Sequence, residues 1–480
     1  MNNTIVSRET APSIRPRRQS LPAFKFGWFI CAALLFAVLG GFGLAGHISF
    51  VLAFGYPLGA NFTALVQVHG HLQLVGWMGL LIMGVSARLL PPLFSRPIPK
   101  GATLLAVLVS FGLLFRSSAQ ILLPHLGVPE LRVLFRGIFT LGSITESAGF
   151  FLYAGIVSAI ILKRFSSLFT DRAVRRLLPY LICMTLGSIL IAALNTYGAV
   201  DAFLNASDIV APTLSFVIAD LFLYLLILPA TLLFSVKLLP LFLGLREPRW
   251  PVGAFGTCYF LLAAAIAIFR IAALFGVSVP DIVERLTFAA LGTTLIAFIS
   301  SLDILTRRHL PERLMPLIKN DALRGRGLLP DRGEYGNFEW HLYAAYSWLL
   351  LAAVLLVLQP FRITISADTI RHMLLLGFGT NLIFGVGYRL LPGLLSMRLA
   401  RPAIVAPIAI MLNVAALARI LPRVLPGLFE INANNFVMKW SFGLSGSMAL
   451  IAVLLFGLNL GFGWLFNRTH KRKSEVLASL

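Results

Sequence analysis

Four histidines lie in or beside long apolar stretches of the chain, where an imidazole is costly to bury. They are His47, His69, His71 and His372. A histidine in a membrane segment is often functional, and a neutral imidazole nitrogen can bind haem iron axially. The alternative is a hydrogen bond between helices, which we favour for His47. For the other three we favour a ligand role.

The spacing of these histidines limits what they could bind together. His69 and His71 are two residues apart on a predicted helix, so their side chains point about 200° apart and cannot reach one iron from the same side. One of them could bind iron while the other bonds a propionate, a carboxylate or a second site. In its segment His372 is the expected ligand, because that segment holds no other histidine. A histidine from each of two helices would fit a bis-histidine haem.

Other polar residues inside apolar stretches could support such a site. Arg116 and Arg270 could meet haem propionates, and Glu146 and Asp220 could accept hydrogen bonds from imidazole N–H groups. Mutual ion pairing is the competing interpretation for each of these four. We expect the remaining histidines to be solvated or uninformative; they are His125, His309, His341 and His470.

An internal repeat places two of the histidines at one position of a common pattern. The segments 71–91 and 372–392 align without gaps at an offset of 301, with His at the first position and Arg-Leu-Leu-Pro at the end. The segment 220–240 fits less well, with Asp220 first and Lys237 in the Arg position. A cation followed by Leu-Leu-Pro could simply end a membrane helix. The recurrence of His instead predicts three units of four helices.

The composition indicates the environment of these helices. The chain has 480 residues, of which 58% are hydrophobic and 12% charged, and its mean hydropathy is +0.88. We therefore predict an all-α polytopic membrane protein with about twelve transmembrane helices and the lipid bilayer as partner. The net charge of +21 comes from Lys and Arg between apolar stretches, so it does not indicate nucleic acid.

The distribution of Lys and Arg predicts the orientation. With the N-terminus inside, inside segments hold 30 of them and outside loops 6, so both termini are predicted to be cytoplasmic. The predicted organisation is a basic tail (1–26), helices one to eight (27–304), a cytoplasmic linker (305–340), helices nine to twelve (341–466) and a second basic tail (467–480).

At the histidine segments the sequence resembles the NnrS family and, more distantly, subunit I of haem-copper oxidases. NnrS proteins carry an HxHExLxG-like motif early in the chain, matched by His69 to Gly76, and a later HALTVG-like motif with a downstream Arg, matched by Arg371 to Gly377 and by Arg389. The resemblance implies a bacterial inner-membrane protein with non-covalent haem b and possible copper, linked to nitric oxide metabolism or tolerance. In the oxidase group, helices two and ten supply the low-spin haem ligands.

The two ways of aligning the histidines disagree. Spacing to the downstream Gly and Pro matches the oxidase ligands to His69 and His372, whereas the internal repeat pairs His71 with His372. The choice between His69 and His71 therefore stays open at this point.

The sequence also departs from both families. The oxidase copper ligands on helices six and seven and the second histidine of helix ten are missing, and Leu72-Gln73 replaces the NnrS acid. An enzyme is therefore not expected, although a degenerate oxidase or nitric oxide reductase subunit is one alternative. Another is a secondary transporter with a His/Asp proton relay. A nitric oxide or redox partner is compatible with the first interpretation, and the oligomeric state stays open.

Overall fold

The described part of the chain forms a bundle of twelve long apolar helices. The computed structural model describes residues 23–59, 61–94, 97–162, 172–245, 252–305, 332–361, 366–395, 397–429 and 435–479. Within these ranges there is no strand, and twelve helices are long and apolar enough to cross a membrane, which confirms the predicted all-α polytopic fold. We number them α1 to α12: Phe26–Phe54, Phe62–Leu93, Ala102–His125, Pro129–Leu162, Arg175–Leu204, Pro212–Leu243, Val252–Leu274, Asp281–Leu302, Phe338–Phe361, Ala367–Leu395, Pro402–Leu425 and Phe436–Phe466.

Every fourth helix, beginning with α2, lies inside the bundle. In the most apolar windows of α2, α6 and α10, 83%, 83% and 67% of residues are buried, against at most 50% in any other span. Helix α12 packs against α1. The inner helices are those that share the sequence repeat. We call the end of the bundle at which α2, α6 and α10 begin the cavity side.

Each inner helix contains a π-helical segment. These segments span Leu72–Gly79 in α2, Phe222–Ile227 in α6 and Met373–Thr380 in α10. The first and third coincide at the offset of 301 found in the sequence. Gly377 permits close packing here. A Cβ at this position would lie only 2.7 Å from the indole of Trp348, which is too close for a real side chain. A π turn changes the direction of the side chains beside it and often marks a functional site.

Helices α3 and α4 approach each other at glycines, which predicts a stability effect. A Cβ on Gly112 would overlap the main-chain nitrogen of Glu146 and lie 2.7 Å from the carbonyl oxygen of Gly142. Because the backbones would have to separate, we expect Gly112→Ala to lower the free energy of unfolding by about 1–3 kcal/mol. Thermal unfolding in detergent measures it. Gly155→Ala on α4 is the control, since nothing lies within 4 Å of its Cβ position; equal stability of both variants would contradict the close packing.

Some sequence-based expectations need correction. Helix α9 begins at Phe338, so the last residues of the predicted linker belong to a membrane helix, and a short helix spans Arg332–Tyr335 before it. The ring of His341 is completely buried, because the first turn of α9 lies inside the protein and not in solvent as expected. The linker residues 306–331 and the side chains of residues 467–480, including His309 and His470, lie outside what the structure describes.

Candidate functional site

A large cavity opens on the cavity side and contains most of the ionisable side chains predicted for the site. Its volume is about 250 Å³, and its walls come chiefly from α1, α2, α6, α10 and α12, with Arg116 from α3 and Arg419 from α11. The ionisable side chains that line it are His69, His71, Arg116, Asp368, Arg371, His372 and Arg419. The repeat thus brings residues about 300 positions apart in sequence to one site.

The imidazoles of His69 and His372 are held in the same way. The Nδ1 of His69 lies 2.7 Å from the main-chain carbonyl oxygen of Gly41, and the Nδ1 of His372 lies 2.8 Å from that of Asp368. A carbonyl only accepts, so Nδ1 carries the proton and Nε2 keeps its lone pair. Neither Nε2 has a hydrogen-bond partner in the described part of the chain. The two rings are close enough to interact electrostatically.

His71 is held differently from its neighbour two residues away. Its Nε2 lies 2.9 Å from both carboxylate oxygens of Glu146 in α4, and that carboxylate is completely buried. The nitrogen therefore donates to an acid and is not free to bind a metal. This contact distinguishes His71 from His69, which sequence alone could not do.

Behind His71, a buried polar network joins α2, α3, α4 and α5. Asn195 accepts a hydrogen bond from Arg116 and donates to the Oγ of Ser147 at 3.2 Å and to Glu146 at 3.5 Å. Arg116 is 5% exposed, and the negative charge of Glu146 lies close to it. The network neutralises two charges that would otherwise be isolated inside the membrane domain.

A second ion cluster links α6, α7, α8 and α10. The carboxylate of Asp220 accepts hydrogen bonds from Arg270 at 2.8 Å and from Arg371 at 2.8 and 3.0 Å. Arg270 also pairs with Glu284 at 2.8 Å. Asp220 occupies the repeat position of His71 and His372, but its charge is fully compensated. The cluster therefore links helices α6, α7 and α8 of the second four-helix unit to α10 of the third.

The arginine of the third unit has no such carboxylate. Arg116, Arg270 and Arg419 lie on the helix that follows each inner helix, and the first two face glutamates of α4 and α8. Helix α12 contains no acidic residue. Arg419 is 9% exposed, donates to the Oγ of Ser49 at 2.9 Å, and has an Nε without a partner among the described residues. Arg419 lines the cavity and forms no ion pair with another described residue.

The structure brings together only some of the residues predicted for the site. His69, His71, His372 and Arg116 line the cavity. His47 is exposed on α1, and Arg270 does not line the cavity because Asp220 and Glu284 hold it between α6 and α8. Sequence reasoning missed Arg371 and Arg419. The signal for Arg419 was its position in an apolar stretch, equivalent to that of Arg116.

The described residues do not form a multi-ligand metal site: three or more His, Cys, Asp or Glu side chains suited to one ion do not occur together among them. Comparison with protein-family models and with curated proteins finds no match to this chain.

Proposed function

We propose that the protein binds one non-covalent haem b in the cavity, where Nε2 of His69 and Nε2 of His372 would hold the iron. The observation that carries the proposal is the pair of imidazoles that donate Nδ1 to main-chain carbonyls and line one cavity with Nε2 unpartnered. In metal-binding histidines, a hydrogen bond from the ring nitrogen that does not bind the metal fixes the tautomer and the orientation of the ring. Haem iron accepts one imidazole on each face and can carry one electron.

The charged side chains of the cavity support a ligand that carries carboxylates. Arg419 and Arg116 both line the cavity, and the Nε of each is buried without a partner in the described residues. A carboxylate that bonds a buried guanidinium would satisfy those donors and compensate the charge. This replaces Arg270 with Arg419 as the proposed propionate contact, beside Arg116.

The physiological role that we propose is the one implied by the NnrS resemblance. It is a haem protein of the bacterial cytoplasmic membrane, with both termini in the cytoplasm, that takes part in nitric oxide metabolism or tolerance. Copper and oxygen reduction are not part of this role, because the ligands for a copper centre are missing from the sequence positions that supply them in oxidases.

Haem and copper content of the purified protein tests the proposal. From haem-replete cells we expect about one haem per chain and no stoichiometric copper. Copper at the level of haem would instead favour a degenerate oxidase. Absence of haem would move the assignment to the transporter.

Removal of Arg419 should weaken haem binding without abolishing it. A hydrogen bond to a charged group contributes about 1.5–3 kcal/mol, so we expect Arg419→Met to raise the haem Kd by about 10- to 100-fold. Titration of haem-free protein in detergent measures the Kd. The control is Arg132→Met, whose guanidinium pairs with Asp208 outside the cavity.

The same titration with haem dimethyl ester tests whether Arg419 acts through a carboxylate of the haem. It lacks free carboxylates, so wild type and Arg419→Met should bind it with similar affinity. A full difference between the two proteins with the ester would show that Arg419 does not act through a carboxylate.

A further inference from the structure

A buried polar network joins the middle of α10 to α9 and α11. Its centre is Asn381, which is completely buried and directly follows the π-helical segment Met373–Thr380. The Oδ1 of Asn381 accepts from Nδ1 of His341 in α9 at 3.1 Å and from the amide of Asn413 in α11 at 3.3 Å. Asn413 in turn accepts from the indole of Trp348 in α9 at 2.8 Å. Two neighbouring helices therefore hold the side chain of Asn381.

The other end of the same amide bonds back into the π-helical segment. Nδ2 of Asn381 donates to the main-chain carbonyl of Gly377 at 2.8 Å, whereas the main-chain N–H of Asn381 donates to the carbonyl of Phe378. The hydroxyl of Thr380 donates in a similar way to the carbonyl of Leu375 at 2.9 Å. In an α-helix each N–H bonds the carbonyl four residues earlier, and a π turn breaks this pattern. Two side chains thus supply hydrogen bonds where the pattern is broken.

The repeat shows that this polar residue is particular to α10. At the offset of 301, Asn381 corresponds to Leu80 in α2, and the position nine residues after Asp220 in α6 is Pro229. The main-chain N–H of Leu80 donates to the carbonyl of Val75, five residues earlier. The π turn of α2 therefore ends on main-chain bonds, while that of α10 ends on a side-chain amide.

The π turn determines the direction of His372, which directly precedes it. A π turn holds one residue more than an α-helical turn. Its loss would rotate the preceding part of the helix by about 100° and shift it by about 1.5 Å relative to the following part. The preceding part is fixed to α6, because Arg371 donates to Asp220 at 2.8 and 3.0 Å. The following part is fixed at Asn381, so the turn lies between two anchors.

We propose that Asn381 is a positioning residue for His372. It holds the end of the π turn and thereby keeps Nε2 of His372 in the cavity together with Nε2 of His69. His372 and Thr380 line the cavity, whereas Asn381 bonds to α9 and α11, so its effect is transmitted by the helix. The positioning claim concerns the chain alone, and its consequence for haem rests on the proposed function.

Two variants that differ by one hydroxyl test the claim. Asn381→Ala removes the amide, while Asn381→Ser has nearly the same size and a hydroxyl that can bond the carbonyl four residues earlier. Haem-free, full-length protein is studied by amide hydrogen exchange and cryo-electron microscopy. In Asn381→Ala we expect the amides of Met373–Thr380 to exchange about tenfold or more faster than in wild type, and the ring of His372 to leave its position. Asn381→Ser should stay close to wild type.

The control removes a different buried amide. Asn459 of α12 is 2% exposed and bonds the main chain of Arg401 at 2.8 and 3.2 Å, so Asn459→Ala should leave the π-helical segment unchanged. Wild-type exchange in Asn381→Ala, or equal acceleration in Asn381→Ala and Asn381→Ser, would overturn the proposal. If Asn381→Ala does not fold, Asn413→Ala removes the support on α11 and should accelerate the same exchange; no acceleration there would also overturn it.

Haem-loaded protein shows whether the displacement reaches the proposed ligand. The largest g value in the electron paramagnetic resonance spectrum of oxidised protein reports the angle between two axial imidazole planes. Asn381→Ala should change this g value and raise the haem Kd by about tenfold or more, and Asn381→Ser should restore both. Equal g values in all three proteins would contradict positioning, even if Asn381→Ala were less stable. Colourless wild-type protein would end the proposed function but leave the exchange result readable.

Discussion

We expect replacement of His69 or His372 by alanine to remove the low-spin spectrum of the proposed haem, and replacement of His71 to leave it in place. Each of the first two imidazoles presents an unpartnered Nε2 to the cavity, while Nε2 of His71 donates to Glu146 at 2.9 Å. Loss of one axial imidazole leaves iron five-coordinate or bound to a weaker ligand, so the spin state changes.

Three single variants measure this difference under one set of conditions. His69→Ala, His372→Ala and His71→Asn are purified and their absorption spectra recorded in the oxidised and reduced states. Added imidazole should restore a low-spin spectrum in the two alanine variants, because it can occupy the vacant axial position. Loss of the spectrum in His71→Asn with its retention in His69→Ala would assign the ligands in the opposite way.

Glu146→Leu should destabilise the protein more than Gly112→Ala does. The carboxylate is completely buried, accepts from His71 and Asn195, and compensates Arg116, which is 5% exposed. Its removal leaves a buried cation unpaired, which costs about 3–5 kcal/mol. Glu146→Gln should cost less, since the amide still makes hydrogen bonds. Thermal unfolding in detergent gives the order of the variants.

Two controls separate charge from general disruption at this position. Glu130→Leu lies on the same helix, where Glu130 is exposed, and should leave stability nearly unchanged. The double variant Glu146→Leu/Arg116→Leu removes both charges and should be more stable than Glu146→Leu alone. A double variant less stable than the single one would show that pairing with Arg116 is not the reason for the loss.

The helix count and the equivalence of α2, α6 and α10 could be predicted from the sequence, whereas their inner positions were not predicted. Long apolar stretches allow only spanning helices in lipid, and a repeat that places equivalent residues on every fourth helix also places those helices equivalently. The repeat placed His71 and His372 at one depth on two helices, and in the structure both line one cavity with His69. These features depend on the periodicity and composition of the chain, which can be read directly from the amino-acid sequence.

The finer features of the site depend on how each helix is rotated about its axis and on which residues of other helices lie beside it. His69 and His71 differ in which acceptor lies beside them, Gly41 or Glu146, and those residues come from other helices. The π turn that begins at Leu72 leaves no sequence pattern from which the direction of the rings could be read. Arg270 and Arg419 occupy equivalent positions, and only the presence of Glu284 and the absence of an acid in α12 separate them.

One haem held between His69 and His372 is the feature on which the proposed function depends. It is tested most directly by the near-infrared magnetic circular dichroism and the reduced-minus-oxidised absorption of wild-type protein purified from haem-replete cells. We expect a b-type haem with two imidazole ligands, in an amount of about one per chain. Colourless protein, or haem bound through a ligand other than two imidazoles, would contradict it.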